Sequence, residues 1–234
     1  MLDKEFDELK KYDWGVDPKV LKPIDEAVVA AHGKEDDRAK LEEQFSAIVA
    51  SDAPRAAKDY SCRKLMRIGT AACVPALAAL LGDKELSHMA RYALERIPSD
   101  EASAALRDAL GKVGGELKIG VIASIGARGE RASIGVLAKE LSTSDPAISR
   151  SAALALGAIP GGVSAAALEK FKVEEGEPSV AATDAKLACA EGLLATGKKS
   201  EALSVYKGLA GDGQPKHVRL AATRGMLACA GKSE

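Results

Sequence analysis

Aromatic residues are scarce in this chain, at 3% of its 234 residues, and Trp14 is the single tryptophan. A core without large rings must be built from smaller apolar side chains, and the 47% hydrophobic content is enough to form one. Runs such as VPALAALL pair alanine with leucine, and both residues favour closely packed helices. The composition therefore indicates a globular helical chain and excludes a disordered one.

Cysteine and histidine are also few, with four and three residues. No two cysteines form a C-x-x-C pair, and His32, His88 and His217 are far apart in the sequence, so no zinc site is indicated. We expect the cysteines to act as reduced, small hydrophobic residues. His88 is better explained as a helix-surface residue than as a ligand or proton-transfer group. We expect no metal, no cofactor and no catalytic residue.

An excess of charge of one sign is missing as well, because 33 Lys and Arg balance 34 Asp and Glu. Nucleic-acid-binding proteins carry a basic excess, so we expect no nucleic acid as a partner. No apolar run approaches the roughly 20 residues of a membrane span, and the charged N-terminal stretch does not resemble an export signal. We expect no membrane partner. The compartment stays open, with the cytoplasm as the default.

A repeated helix–turn–helix unit organises the chain, with a period of about 28 to 36 residues from Ala39 onwards. Leucines recur in an i, i+3, i+4 pattern, which predicts one buried stripe on every helix. The leucines and the isoleucine that mark these stripes are Leu65, Leu77, Leu94, Leu106, Ile122, Leu137, Leu154, Leu168, Leu187 and Leu203. No segment indicates a strand, and we assign the β-like run IGVIA to a helix because of its place in the repeat.

Proline and glycine punctuate these units. Prolines stand where each of four second helices should begin, where the missing amide costs nothing. Glycines lie near the ends of second helices, as C-caps or as sites of close helix approach. The prolines are Pro54, Pro146, Pro178 and Pro215, and the glycines are Gly69, Gly126, Gly157, Gly192 and Gly225. Asp145 precedes Pro146 as the expected N-cap.

Six helix pairs are predicted, after an N-terminal segment with an irregular stretch and a short helix. We divide the chain into an N-terminal capping segment, residues 1–35, and a repeat array, residues 36–234. We expect Phe6 and Trp14 to cover the first repeat. The predicted pairs are 36–50 with 54–68, 72–82 with 84–97, 99–112 with 115–126, 131–142 with 145–158, 162–172 with 178–195, and 199–210 with 215–229.

The stretch DPAISRSAALALGAI, Asp145–Ile159, resembles the second helix of a HEAT-like repeat, of the kind also found in phycobilin lyases. The run that begins RKLMRIGTAACVPALAALL resembles the HEAT-like arrays in large proteins of planctomycetes and related bacteria. The resemblance implies an all-α, right-handed solenoid of about six HEAT-like helix pairs. Such repeats serve many functions, but a solenoid offers an extended surface without a deep pocket, so we expect a non-catalytic protein–protein interaction scaffold, as a module of a larger protein or assembly. A phycobilin-lyase-like enzyme that handles a chromophore and a purely structural spacer are the alternatives.

One basic residue recurs on each second helix, which lines the inner curve in HEAT-like arrays. Either each basic side chain reaches a turn carbonyl or an acidic residue, forming a structural ladder, or the row lines a groove for an acidic protein segment. We favour the ladder, in which Asp145 is the partner of Arg150. The row, which is also our candidate binding set, consists of Arg63, Arg91, Lys118, Arg150, Lys186 and Arg219.

The last predicted helix carries Leu220 and Leu227 two turns apart on one face. A solenoid unit buries its flank against the next unit, so we expect these leucines to be open to water in this chain. Exposed apolar patches often mark an interface. We therefore expect the C-terminal unit to bind a protein partner or a second copy of the chain, or to continue into a longer array.

Overall fold

The computed structural model describes residues 2–171 and 177–231. Within these ranges the chain forms fourteen α-helices and no strand, which confirms the all-helical prediction. The helices are α1 Asp3–Leu9, α2 Lys22–Ala30, α3 Glu35–Ala50, α4 Arg55–Ile68, α5 Val74–Ala79, α6 Ser87–Arg96, α7 Asp100–Leu110, α8 Gly115–Arg128, α9 Ile134–Glu140, α10 Pro146–Gly157, α11 Gly162–Lys170, α12 Glu177–Ala195, α13 Lys199–Leu209 and α14 Lys216–Cys229.

The predicted pairs correspond to α3 through α14, and their bounds agree with the structure to within three residues over the described residues. Short 3-10 helices, Ala71–Cys73 and Arg131–Ser133, precede α5 and α9. The proline and the residue before it act as expected at the start of α10. Pro146 is its first residue, and the Asp145 carboxylate accepts hydrogen bonds from the amides of Ala147 and Ile148. This N-cap satisfies two amides that the helix itself leaves without acceptors.

The chain divides into two compact units, Met1–Ser124 and Ile125–Glu234. In the first unit, α3 packs against α4 and α5, and α5 packs against α6 and α7. Second helices also pack against the second helices of neighbouring pairs, since α4 packs against α6. The buried carboxylate of Glu42 on α3 links neighbouring pairs, because it accepts hydrogen bonds from the amides of Thr70 and Cys73 and from the Thr70 hydroxyl. A carboxylate from one pair thus satisfies the amides that start the next pair.

The second unit repeats this order of contacts, with α9 against α10 and α11, and α10 against α12. Two glycines let its second helices approach closely. A Cβ added to Gly126 would lie 2.8 Å from the Cα of Ala155, and one added to Gly157 would lie 2.8 Å from the Cα of Ala185. Both distances are too short for a real side chain. The prediction that these glycines permit close approach of the next helix is therefore confirmed.

The N-terminal segment packs against the first helix pair. Phe6 is buried edge-on against Phe45, with ring centroids 5.2 Å apart. The Tyr60 hydroxyl donates a hydrogen bond of 2.7 Å to Asp25, which also forms an ion pair with Lys64. Phe6 thus covers the first repeat as predicted. The same prediction for Trp14 is wrong, because Trp14 is 64% exposed.

The predicted core stripes are confirmed for most positions, but not for all of them. Leu65, Leu94 and Ile122 are fully buried on second helices, whereas Leu154 on α10 is exposed. Its neighbour Ala153 is fully buried instead. One residue turns a helix by about 100°, so an alignment that slips by one position moves a core residue to the surface. Leu187 and Leu203 are only half-buried.

None of the described helices has the length and the apolar content that a membrane-spanning helix requires.

Candidate binding surface

A groove runs between α4 and α6 in the first unit, with a volume of about 370 Å³. Its two walls are helix faces. One is formed by positions spaced 3, 4 and 7 residues apart on α4, and the other by residues on neighbouring turns of α6. The residues that line the groove are Asp59, Cys62, Arg63 and Met66 of α4, and His88, Met89, Tyr92 and Arg96 of α6.

The floor of the groove is apolar and rich in sulfur. Cys62 and Met89 are buried, and Met66 is half-buried beside them. Burial, followed by the nearby charge of Asp59, raises the pKa of Cys62 to about 12, so its thiol is neutral. Methionine side chains are flexible and polarizable and adapt to apolar groups of different shape. The floor can therefore receive an apolar side chain without a strict demand on its shape.

A buried carboxylate orients a cation at the edge of this floor. The Nε and Nη2 atoms of Arg63 donate hydrogen bonds of 3.2 and 2.6 Å to the two carboxylate oxygens of Asp59, one turn earlier on α4. The Asp59 side chain is only 10% exposed, whereas that of Arg63 is 69% exposed. Two parallel hydrogen bonds fix the plane of a guanidinium. Arg63 is therefore held in one orientation with its outer face open to solvent.

The α6 wall contributes an exposed ring and two further polar side chains. Tyr92 is 61% exposed, which is unusual for an aromatic residue that neighbours a groove. Arg96, four residues later, is exposed and forms no ion pair with a described residue. His88 is exposed at the start of the same wall, in agreement with its assignment to a helix surface. The wall offers an aromatic face and an accessible cation.

Arg91 points away from this groove and joins two second helices. Its Nη1 donates hydrogen bonds of 3.0 Å to the carbonyl of Gly120 and 3.1 Å to the hydroxyl of Ser124, both on α8. The Ser124 hydroxyl lies 2.6 Å from a carboxylate oxygen of Glu95. Burial lowers the pKa of Arg91, against the attraction of Glu95. Arg91 thus links neighbouring helix pairs, but its carbonyl partner lies within α8, whereas the ladder hypothesis expected a turn carbonyl or an acidic residue.

Glycine at position 120 is a requirement of this arrangement. A Cβ on Gly120 would lie 2.7 Å from the central carbon of the Arg91 guanidinium. The buried network therefore depends on the absence of a side chain at this position of α8. Lys118, six residues before Ser124 on the same helix, is half-buried and also takes part in an interaction.

The basic residues of the second unit do not follow one rule. Arg219 donates a hydrogen bond of 2.9 Å to Asp212, in the turn that precedes α14. Arg150 is exposed on α10 and has no hydrogen-bond or ion-pair partner among the described residues. Lys186 is half-buried, again without such a partner in the described part of the chain. In the second unit, Arg219 therefore binds a protein group, whereas Arg150 remains accessible to solvent.

The predicted pair of Asp145 with Arg150 does not form. The carboxylate of Asp145 accepts hydrogen bonds from the amides of Ala147 and Ile148, and Arg150 is exposed to solvent. An N-cap carboxylate binds backbone amides two or three residues away and so stabilises the start of the helix. An exposed ion pair contributes little to stability. The ladder hypothesis is therefore wrong at the position where the sequence showed its partner most clearly. Arg63 and Arg219 do bind acidic residues, Asp59 and Asp212, but each within its own helix pair.

Sequence reasoning found Arg63 but missed the other groove residues. Asp59 and Met66 lie four and three residues from Arg63 on α4, so helical spacing alone could have placed them on the same face. Tyr92 and Arg96 lie on one face of α6 by the same rule. These residues do not recur from repeat to repeat, because the groove is a property of one pair of neighbouring helices.

No group of three or more histidine, cysteine, aspartate or glutamate residues in the described ranges is arranged to hold a metal ion. On α14, Leu220 and Leu227 are both exposed, which agrees with the expectation that they are open to water. Comparison of the chain with models of known protein families gave no match, and comparison with characterised proteins gave none either.

Proposed function

We propose that this chain is a right-handed α-solenoid of six HEAT-like helix pairs that serves as a non-catalytic protein–protein interaction scaffold within a larger protein or assembly. The order of helix contacts supports the architecture. Within each unit, first helices pack against first helices, as α3 does against α5, and second helices against second helices, as α4 does against α6 and α10 against α12. Stacked helix pairs of this kind are the building principle of α-solenoids.

The α4–α6 groove is the observation that carries the functional proposal. A large ring, Tyr92, stands exposed beside a floor of sulfur-containing side chains, and cations lie at the edge. Exposed aromatic residues and arginines next to an apolar depression are the composition of energetically important positions in protein interfaces. No other part of the basic row combines these features among the described residues.

Peptide display on phage tests this function directly. A random peptide library is selected on the immobilised chain and counter-selected on the double variant Tyr92→Ala, Arg96→Glu. Both side chains are exposed, so the variant should fold normally, which circular dichroism verifies. We expect an enriched family of peptides that the unchanged chain retains and the double variant does not. Enriched peptides that bind both proteins equally, or no enrichment at all, would refute a binding function of this groove and favour the spacer.

Small-angle X-ray scattering tests the architecture separately. A compact domain of 234 residues has a radius of gyration of about 17 Å. A solenoid of six pairs extends along one axis, so we expect a value clearly larger than this and an elongated distance distribution. A monomer with the compact value would contradict the solenoid but would leave the groove as a separate question.

A further inference from the structure

We infer that the α4–α6 groove binds an acidic peptide segment of a protein partner, placing one apolar side chain between Met66, Met89 and Tyr92 and a carboxylate against Arg63. The inference rests on the proposed function and adds the chemistry of the partner to it. Four properties of the groove support it: the free donors of Arg63, the balance of accessible charge, the adaptable floor and the length of the walls.

Arg63 retains donors after it has bound Asp59. A guanidinium carries five N–H groups, and two of them point to the two oxygens of Asp59. The Arg63 side chain is 69% exposed, whereas that of Asp59 is only 10% exposed, so solvent and ligands have access to the guanidinium. A second carboxylate can therefore bind to the outer edge of Arg63 without displacing the first. Asp59 is the positioning residue, because it holds the guanidinium before a ligand arrives and reduces the entropy lost on binding.

The accessible charge of the groove is positive. Among its lining residues, Arg63 and Arg96 are exposed cations, and the one carboxylate, Asp59, is shielded by Arg63. A neutral or basic segment would leave Arg96 without an acidic partner and would not use the outer donors of Arg63, whereas carboxylates complement both. Charge complementarity at an exposed rim contributes chiefly to the association rate and to the choice of partner. The groove is therefore suited to select acidic segments.

The apolar part of the contact accounts for the affinity. Met66 and Met89 leave an adaptable floor, and the Tyr92 ring stands beside it with most of its surface exposed. An apolar side chain that enters between them removes both its own surface and that of the ring from water. Burial of an aromatic residue is among the larger contributions to an interface. We expect leucine, isoleucine, methionine or phenylalanine to be accepted here.

The length of the groove walls limits how far apart the apolar residue and its acidic neighbours can lie in the partner peptide. Asp59 and Met66 mark the ends of the α4 wall and are seven residues apart, which corresponds to about 10 Å along a helix. An extended peptide advances about 3.3 Å per residue, so about three residues span this distance. The apolar residue and its acidic neighbours should therefore lie within three or four positions of one another in the partner.

Fluorescence anisotropy with short labelled peptides tests the inference on the full chain. The reference peptide is a ten-residue acidic segment with a central leucine, compared with the same peptide carrying alanine in the centre and with one in which lysines replace the acidic residues. We expect only the reference peptide to bind, and its affinity to fall as the salt concentration rises.

Matched variants locate the contact. We expect Arg96→Glu to weaken the reference peptide about tenfold at low salt, because an attraction becomes a repulsion. We expect Tyr92→Ala to weaken it by about tenfold or more. The controls are Arg131→Glu, which makes the same charge change at an exposed arginine on the second unit, and Trp14→Ala, which removes another exposed ring. Each control should change the affinity by less than about twofold.

The outcomes separate this inference from the function on which it rests. Binding of the reference peptide that Arg96→Glu and Tyr92→Ala both weaken, and that the controls leave unchanged, supports it. If display selects apolar or basic peptides that depend on Tyr92 while the acidic reference does not bind, the acidic-segment inference is wrong and the binding function stands. If no peptide of any class depends on Tyr92 or Arg96, both proposals fail.

Discussion

Gly126→Ala is the most direct test of how the second helices pack in the second unit. An alanine Cβ at this position of α8 would lie 2.8 Å from both the Cα and the Cβ of Ala155 on α10. Real Cβ atoms do not approach other carbons this closely, and the obstacle includes backbone. The two helices must therefore separate locally, because no side-chain rotation can relieve the contact.

The expected change in stability has two opposing parts. Alanine is favoured over glycine in a helix by about 0.5–1 kcal/mol. Overpacking at a tight contact costs about 1–3 kcal/mol. The packing cost outweighs the gain, so we expect Gly126→Ala to lower the free energy of unfolding by about 0.5–2 kcal/mol. Gly157 faces Ala185 in the same way, so Gly157→Ala should also be destabilising.

Gly208→Ala is the matched control, because Gly208 lies near the end of α13 and its added Cβ would meet nothing within 4 Å. It should stabilise the chain by about 0.5–1 kcal/mol through helix propensity alone. Urea denaturation followed by circular dichroism measures all three variants against the unchanged chain. If Gly126→Ala stabilises the chain as much as Gly208→Ala does, the close approach of α8 and α10 is wrong.

Three further predictions concern single side chains. Glu42→Gln should lower the free energy of unfolding by about 1–3 kcal/mol in the same assay, because its buried carboxylate binds two amides and a hydroxyl, whereas the exposed Glu43→Gln should have little effect. Arg150→Ala should change stability by less than about 0.5 kcal/mol, and a larger loss would restore the ladder hypothesis at this position. Burial tends to raise the pKa of Asp25, but hydrogen bonds from Lys64 and Tyr60 outweigh it and hold the pKa below its usual range, so Asp25 stabilises the chain at neutral pH and this contribution is lost as the pH falls through the acid range. Asp25→Asn should therefore reduce the loss of stability between pH 4 and pH 2 in acid titrations, and an unchanged acid transition would contradict this role.

The sequence by itself was sufficient to locate the helices. Apolar residues recur with the period of a helix, and prolines and glycines mark where helices begin and end, so both signals act over a few neighbouring residues. Pro146 and Asp145 could be assigned their roles for this reason. The contacts that stabilise α10 at its start involve only residues within three positions of Asp145.

Only the tertiary structure decided which side of each helix faces a neighbour and which groups pair across helices. Arg91 and Arg150 looked equivalent in the sequence, yet Arg91 binds α8 because Gly120 leaves room for its guanidinium, and Arg150 remains in solvent because Asp145 is already engaged. Tyr92 is exposed beside a groove for a similar reason, since the depression exists only where α4 and α6 lie side by side. The spacing of apolar residues in the sequence indicates which face of a single helix is buried. The partners across a helix interface depend on the volumes and hydrogen-bonding groups of residues about 30 positions away, which no local pattern encodes.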